Sequence, residues 1–244
     1  MYFCIMATRI NKYLSEAGFC SRRAADRLLE QGKITINGKV PELGTKVEPG
    51  DKVRVEGKLV KNDQEELVYI AFHKPVGVVC TTDQKREKDN IIDYIGYPTR
   101  IFPIGRLDKP SEGLIFLTND GDIVNKILRA KNQHEKEYIV TVDRLIEGNF
   151  IRDMANGVPI LDTVTNPCFV EQTGRRQFRI LLTQGLNRQI RRMCEYLGYQ
   201  VAKLQRVRIM NMHLDMPEGT WRDFRPEELA EMNRMLSKSD KTAG

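Results

Sequence analysis

The chain has no long apolar run. No stretch approaches the roughly 18 consecutive apolar residues that a membrane helix requires, so no membrane association is expected. Met1-Tyr2-Phe3-Cys4-Ile5 is apolar but too short for a secretory signal, and no cleavage pattern follows it. Met6-Ala7-Thr8-Arg9 reads as the more natural start, with residues 1–6 expected to be a disordered extension. Histidine is scarce, and His73, His134 and His213 stand far apart. The cysteines, Cys4, Cys20, Cys80, Cys168 and Cys194, are odd in number, and none forms a C-x-x-C pair. That spacing argues against a disulfide framework or a zinc site. It sets the expected location in a reducing cytoplasm. No internal repeat appears at the periods of solenoids or propellers.

What is present suits one large or two smaller folded domains: 244 residues, 41% of them hydrophobic. Lys and Arg number 39 against 33 Asp and Glu, for a net charge of +6 and a pI near 9.0. That surplus favours an anionic partner, nucleic acid first.

The pattern divides the chain. Residues 7–60 read as a small unit of two short helices followed by strands. Ile10, Tyr13 and Leu14 have helical spacing with Gly18 as the stop. Ser21 is placed to cap a second helix carrying Ala24, Ala25, Leu28 and Leu29, ended by Gly32. Ile34-Thr35-Ile36 then runs as a strand into Asn37-Gly38, a hairpin signal. Pro49-Gly50-Asp51 marks a later turn. Residues 61–66 are polar throughout and fit a linker. Residues 67–236 alternate strand-like runs, near 67–72, 138–142, 168–170, 178–182 and 206–209, with helical pieces near 123–130, 147–154, 188–196 and 226–236. That order argues an α+β fold on a mixed, largely antiparallel sheet. Residues 237–244 are expected to be a flexible tail.

The richest segment runs from Gly105 to Asp122, G-R-L-D-K-P-S-E-G-L-I-F-L-T-N-D-G-D. It sets Asp108 between Arg106 and Lys109 in a Gly/Pro turn, ahead of the apolar run Leu114-Ile115-Phe116-Leu117. From that pattern alone a salt-bridged surface turn competes with a carboxylate presented for chemistry. The wording of the whole segment resembles the signature G-R-L-D-x-x-[ST]-x-G-L-x-x-L-T-N-D-G of the pseudouridine synthases of the RsuA/RluB/RluE/RluF type. The resemblance makes Asp108 the residue that drives glycosidic bond cleavage. It leaves open whether Asp108 attacks C1′ of the ribose or removes the C2′ proton.

Further segments carry the same resemblance. Lys136-Glu137-Tyr138 matches the family's K-x-Y element, implying that Tyr138 stacks on a base taken out of its helix. Gly185-Leu186-Asn187-Arg188-Gln189-Ile190-Arg191-Arg192-Met193 matches another, with Asn187 expected to cap its helix. There Arg191 is implied to pair with Asp108, while Arg188, Gln189 and Ile190 contact RNA alongside Arg106, Leu107 and Lys109. Leu204, in Val201-Ala202-Lys203-Leu204-Gln205-Arg206, is implied to line the pocket. The first unit, R-I-N-K-Y-L…S-R-R-A-A-D-R-L-L…G-K-I-T-I-N-G-K, resembles the S4 (α-L type) RNA-binding domain. Its basic face of Arg9, Lys12, Arg22, Arg23, Arg27 and Lys33 would track phosphates.

The expected protein is therefore an S4 domain joined to a pseudouridine synthase catalytic domain, monomeric and free of metal or cofactor. Within the family, T-R-I-F-P-I-G-R-L-D, I-L-R-A-K-N-Q-H-E-K-E-Y and R-I-M-N-M resemble the RluF branch most. That implies action on uridine 2604 of 23S rRNA and on a tRNA anticodon uridine. The alternative from a different class is a non-catalytic S4-type rRNA-binding or ribosome-assembly protein. A binder has no need of Asp108, Tyr138 and Arg191 together.

Overall fold

The computed structural model describes residues 7–60, 66–83, 87–128 and 133–237. The expected N-terminal extension, nearly all of the linker and nearly all of the tail lie outside the described residues. The chain divides into two compact units at Leu67/Val68.

In the first unit β1 (Thr8–Arg9) leads into α1 (Ile10–Glu16) and α2 (Arg22–Glu30), followed by β2 (Ile34–Ile36), β3 (Lys46–Val47), β4 (Val53–Val55) and β5 (Lys58–Leu59). Ser21 caps α2 as expected, its hydroxyl accepting from the Ala24 N–H at 3.2 Å. Ile10, Leu14, Ala25, Leu29, Ile34, Val53 and Val55 close a small core. Asn37-Gly38 does form a tight turn, with φ of 51° and 81°. It closes the expected hairpin turn, Ile36 and Lys39 exchanging backbone hydrogen bonds at 2.8 and 3.0 Å, but the pairing stops at that one bridge. The longer ladder of β2 is with β4. The Asn37 side chain ties the turn to Asp51 at 2.7 Å and to the Lys52 N–H at 3.0 Å, which draws the chain toward β4 rather than a neighbouring strand.

The second unit continues with β6 (Tyr69–Lys74), α3 (Ile91–Ile95), β7 (Phe102–Ile104), β8 (Glu112–Thr118), α4 (Gly121–Leu128), β9 (Lys136–Val142) and α5 (Phe150–Asn156). Then come β10 (Pro159–Ile160), β11 (Thr163–Val164), β12 (Phe169–Gly174), β13 (Gln177–Leu182) and α6 (Gln189–Tyr196). β14 (Val201–Ile209), β15 (Met212–His213), β16 (Trp221–Asp223) and α7 (Pro226–Leu236) complete it. The main sheet runs β12-β13-β9-β14-β8-β6-β16, with β7 beside β8 and β15 beside β14. Only the β14–β8 contact in it is parallel, so the sheet is mixed and largely antiparallel.

β8 is the spine. All seven of its residues are buried, and each of Leu114, Ile115, Phe116 and Leu117 contributes about 2 kcal/mol by leaving water. Its alternate side chains feed two cores, Leu114 and Phe116 on one face, Ile115 and Leu117 on the other. A third core gathers Val140, Phe178, Ile180, Met193 and Leu204 around β9, β13, β14 and α6. The short α3 was not anticipated. Asn90 caps it, accepting from the N–H groups of Ile92 and Asp93 at 3.0 and 2.9 Å.

Candidate active site

The register of three strands brings the predicted residues together. β14 lies between β9 and β8, with Arg206 opposite Tyr138 on one side and beside Gly113 on the other. Side chains of directly opposed strand residues point to the same face. Tyr138, Lys136 and Val140 of β9 therefore share a face with Arg206 and Leu204 of β14. An irregularity between Arg206 and Arg208 then sets Arg208 opposite Glu137 rather than Lys136. That extra residue sorts the two arginines. Arg208 meets Glu137 and Glu135 at 2.8 and 2.9 Å, whereas Arg206 enters the site.

The site is a cavity of about 370 Å³ lined by the loop ahead of β8, the face of β9 and β14, and the segment entering α6. Asp108, Tyr138, Arg191 and Leu204 all line it, as do Arg106, Leu107, Arg188, Gln189 and Ile190. Lys109 is exposed outside that lining. Leu107, Gln189 and Ile190, expected to touch RNA, are nearly buried at 6%, 5% and 5% exposure. Gln189 instead organises its own loop, accepting from the Leu186 N–H at 3.0 Å and donating to Gln184 at 3.4 Å.

Tethers fix the Asp108 loop. The Ser111 N–H donates to the Asp108 carbonyl at 2.9 Å. The neighbouring Leu107 N–H donates to Cys80 Sγ at 3.3 Å. Arg191 donates to the Pro110 carbonyl at 2.9 Å and to the Ser111 hydroxyl at 3.1 Å. The expected Arg191–Asp108 ion pair is not formed at contact distance among the described residues. The guanidinium is spent on that loop and on the Val201 carbonyl of β14 at 3.3 Å, and its Nε, also buried, has no partner among the described residues. Burial pushes the Arg191 pKa down from its ordinary value, while the charge of Asp108 pulls it back up. Arg191 thus acts on Asp108 by holding its loop and by through-space charge.

α6 opens differently from expectation. Arg188, not Asn187, occupies the cap position, in the left-handed region at φ 50° and with no side-chain cap. Asn187 faces back toward the helix, accepting from Arg192 through both its carbonyl and its amide oxygen. This backbone turn leaves the Arg188 side chain about half exposed at the cavity, 3.8 Å from Glu195.

Three further cations at or near the site were not singled out by the sequence patterns. Lys74, at the end of β6, is fully buried and donates to the Pro75 carbonyl at 2.6 Å. Burial pushes its pKa down, and Asp108 and Glu112 partly offset that shift. Lys136 and Arg206 are 8% and 3% exposed. Arg206 donates to the Leu114 carbonyl at 2.7 Å and lies 6.0 Å over the Tyr138 ring. On the first unit, Arg9, Arg22, Arg23 and Arg27 are exposed. Lys12 and Lys33 make ion pairs with Glu16 at 3.3 Å and Glu56 at 2.8 Å. Among the described residues no group of three or more potential ligand side chains is arranged to hold a metal. No described helix is long and apolar enough to cross a membrane.

The same organisation is found in known proteins. The family model described as RNA pseudouridylate synthase matches residues 68–196, and that of the S4 domain matches residues 8–53. The chain is 56% identical over 235 residues to the dual-specificity RNA pseudouridine synthase RluF of Escherichia coli K12, covering 96% of this chain and 81% of that protein. It is 34% identical to the ribosomal large subunit pseudouridine synthase B of Bacillus subtilis, covering 96% of this chain and 99% of that one. A crystal structure of a pseudouridylate synthase, 28% identical, superposes over 93% of this chain and 99% of that one with a TM-score of 0.67. A cavity that sets a carboxylate, a tyrosine and an arginine together on this fold is thus accounted for: the protein belongs to the RNA pseudouridylate synthase family and is an RNA pseudouridine synthase with an N-terminal S4 domain.

Proposed function

We propose that the protein isomerises a uridine of 23S ribosomal RNA, position 2604 in the usual rRNA numbering, and accepts a tRNA anticodon uridine as a second substrate. The convergence of Asp108, Tyr138 and Arg191 on one cavity carries this reading. The identity to a dual-specificity relative over nearly the whole chain supports the choice of RNA. The target base leaves its stack and enters the cavity against the Tyr138 ring. The Asp108 carboxylate drives cleavage of the bond between N1 and C1′, either by attack on C1′ or by removal of the C2′ proton. The base turns, and C5 bonds to C1′. Arg191 holds the Asp108 loop in place throughout, and Leu204 forms part of the wall. No cofactor is required, because the reaction is an isomerisation with no net redox change or hydrolysis. The enzyme works as a monomer in the cytoplasm.

Comparing pseudouridines in rRNA and tRNA from cells with and without the protein tests the target. Loss of pseudouridine at position 2604 and at one anticodon position is expected. If both persist in the deleted strain, the assignment is wrong.

The first unit supplies affinity rather than chemistry. Arg22, Arg23 and Arg27 of α2 are exposed, the arrangement that lets arginines replace counterions on phosphates. A chain lacking residues 1–60 is expected to keep its catalytic fold and bind rRNA on the order of tenfold more weakly, with a shallower salt dependence. Filter binding across a salt series reads both, and equal affinity of the two chains would remove the S4 role.

A further inference from the structure

Lys136 and Arg206 are two buried cations without a counterion among the described residues. Lys136 Nζ donates only to the His134 carbonyl at 3.3 Å, and one terminal nitrogen of Arg206 is buried with no partner. Neither forms an ion pair with a described carboxylate. Asp108 lines the same cavity but forms no ion pair with either cation, and the other acids nearby are engaged: Glu137 and Glu135 by Arg208, and Glu112 by Lys203 at 3.0 Å. Burying two like charges in one wall is strongly unfavourable unless negative charge arrives to meet them. Burial and the charge of Arg206 push the Lys136 pKa down to about 8, the same strain seen from the proton's side. Both side chains line the cavity that holds Asp108 and Tyr138.

Besides Asp108, two kinds of negative charge can come to this cavity with the substrate, a phosphate or the base itself. Depth decides between them. Arg188 is about half exposed and Arg106 is exposed, so cations suited to the backbone phosphates already stand at the mouth. Lys136 and Arg206 lie beneath, beside the Tyr138 ring. A flipped nucleotide puts its base deepest and leaves its phosphates outside.

We propose that Lys136 is a further catalytic residue, whose ammonium, with Arg206 beside it, receives the negative charge of the detached uracil. The inference rests on the reading of this cavity as the uridine pocket. When the N1–C1′ bond breaks, its electron pair stays on the base and spreads from N1 onto O2 and O4. Lys136 donates an N–H to one of those oxygens without giving up its proton. The anion then rotates, its C5 bonds to C1′, and last the C5 proton passes to water while N1 takes one up, leaving the neutral isomer. Stabilising charge that exists only after cleavage has begun lowers the barrier without tightening ground-state binding.

The test compares Lys136→Met, Lys136→Arg and Asp108→Asn in the full chain, in single-turnover reactions on an RNA fragment containing the mapped target. The fragment carries either uridine or 5-fluorouridine, whose base is the more stable anion. Lys136→Met is expected to lower the rate on uridine about 100-fold with RNA affinity within about twofold. Its deficit should be several-fold smaller when consumption of 5-fluorouridine is measured, because that leaving group needs less help. Lys136→Arg keeps the charge and should recover most of the rate. The thermal midpoint of Lys136→Met should not fall, since an unpaired buried cation is replaced by an apolar chain of similar length. Equal deficits on the two substrates, or a Lys136→Met rate within about threefold of the parent, would overturn the proposal. Asp108→Asn separates the failures. If that variant stays active the cavity is misassigned, whereas an inactive Asp108→Asn beside an active Lys136→Met rejects the role of Lys136 alone.

Discussion

Asp108→Asn abolishes pseudouridine formation, with an expected loss on the order of 10⁴-fold or more in single-turnover rate, and leaves the protein folded. The structure explains why the two effects separate. The Asp108 backbone holds the turn, its carbonyl accepting from the Ser111 N–H at 2.9 Å. Its carboxylate makes no hydrogen bond or ion pair with any described residue. The substitution therefore removes chemistry and little packing. It also deletes one negative charge from a cavity lined by the buried cations Lys136, Arg191 and Arg206. RNA affinity should consequently hold or rise slightly rather than fall, since one fewer carboxylate faces the incoming phosphates. Pseudouridine formation measured beside filter binding gives both quantities. A variant with the parent's rate would remove Asp108 from the mechanism.

Gly113→Ala should be the most destabilising single methyl in the catalytic unit. Gly113 has φ of 112°, a region L residues rarely adopt, and it abuts the backbone of Arg206. A Cβ there would stand 2.3 Å from the Arg206 carbonyl oxygen and 2.5 Å from its nitrogen. Both obstacles are backbone in the middle of the sheet, so no side chain can swing aside. Strain and overpacking together are worth about 4 kcal/mol or more. For a unit of this size that lowers Tm by roughly 10 °C. Because the contact is with Arg206 itself, activity at low temperature should fall too, as the β8–β14 seam parts under the cavity. Thermal melting of the purified variant checks the first effect. A Tm within about 2 °C of the parent would mean the seam yields more easily than its geometry implies.

These two positions also mark how far the sequence could be read. Asp108, Tyr138, Arg191 and Leu204 were legible because each sits in a contiguous motif, and all four line one cavity. The helices and strands around them followed from periodicity, α7 to its terminal residues. Lys136 and Arg206 were quoted within those motifs but not singled out, since a lone cation in a strand reads as solvent-facing. Only the placement of β14 between β9 and β8 makes them interior, and that is a long-range fact no local pattern states. The direction of Arg208 was hidden for the same reason, because a bulge changes which face a residue occupies without changing its composition. Asn187 illustrates the opposite failure. Its side chain is a good cap in isolation, but Arg192 claims it, and the helix begins one residue later behind a left-handed Arg188. Arg191 lines the same cavity as Asp108, yet it hydrogen-bonds the loop carrying Asp108 rather than the carboxylate.

The insertion of β14 between two strands made long before it has a consequence for synthesis. β8 and β9 have no direct pairing; residues 201–209 must arrive before the Asp108 and Tyr138 sides of the cavity can be joined. The S4 unit, complete by about residue 60, closes its core from local contacts and can fold as soon as it leaves the ribosome. A nascent chain thus acquires its grip on RNA more than a hundred residues before it acquires a reactive pocket. Until β14 docks, the emerging protein is an RNA binder with an open sheet, and catalytic competence comes as one of the final events of its folding.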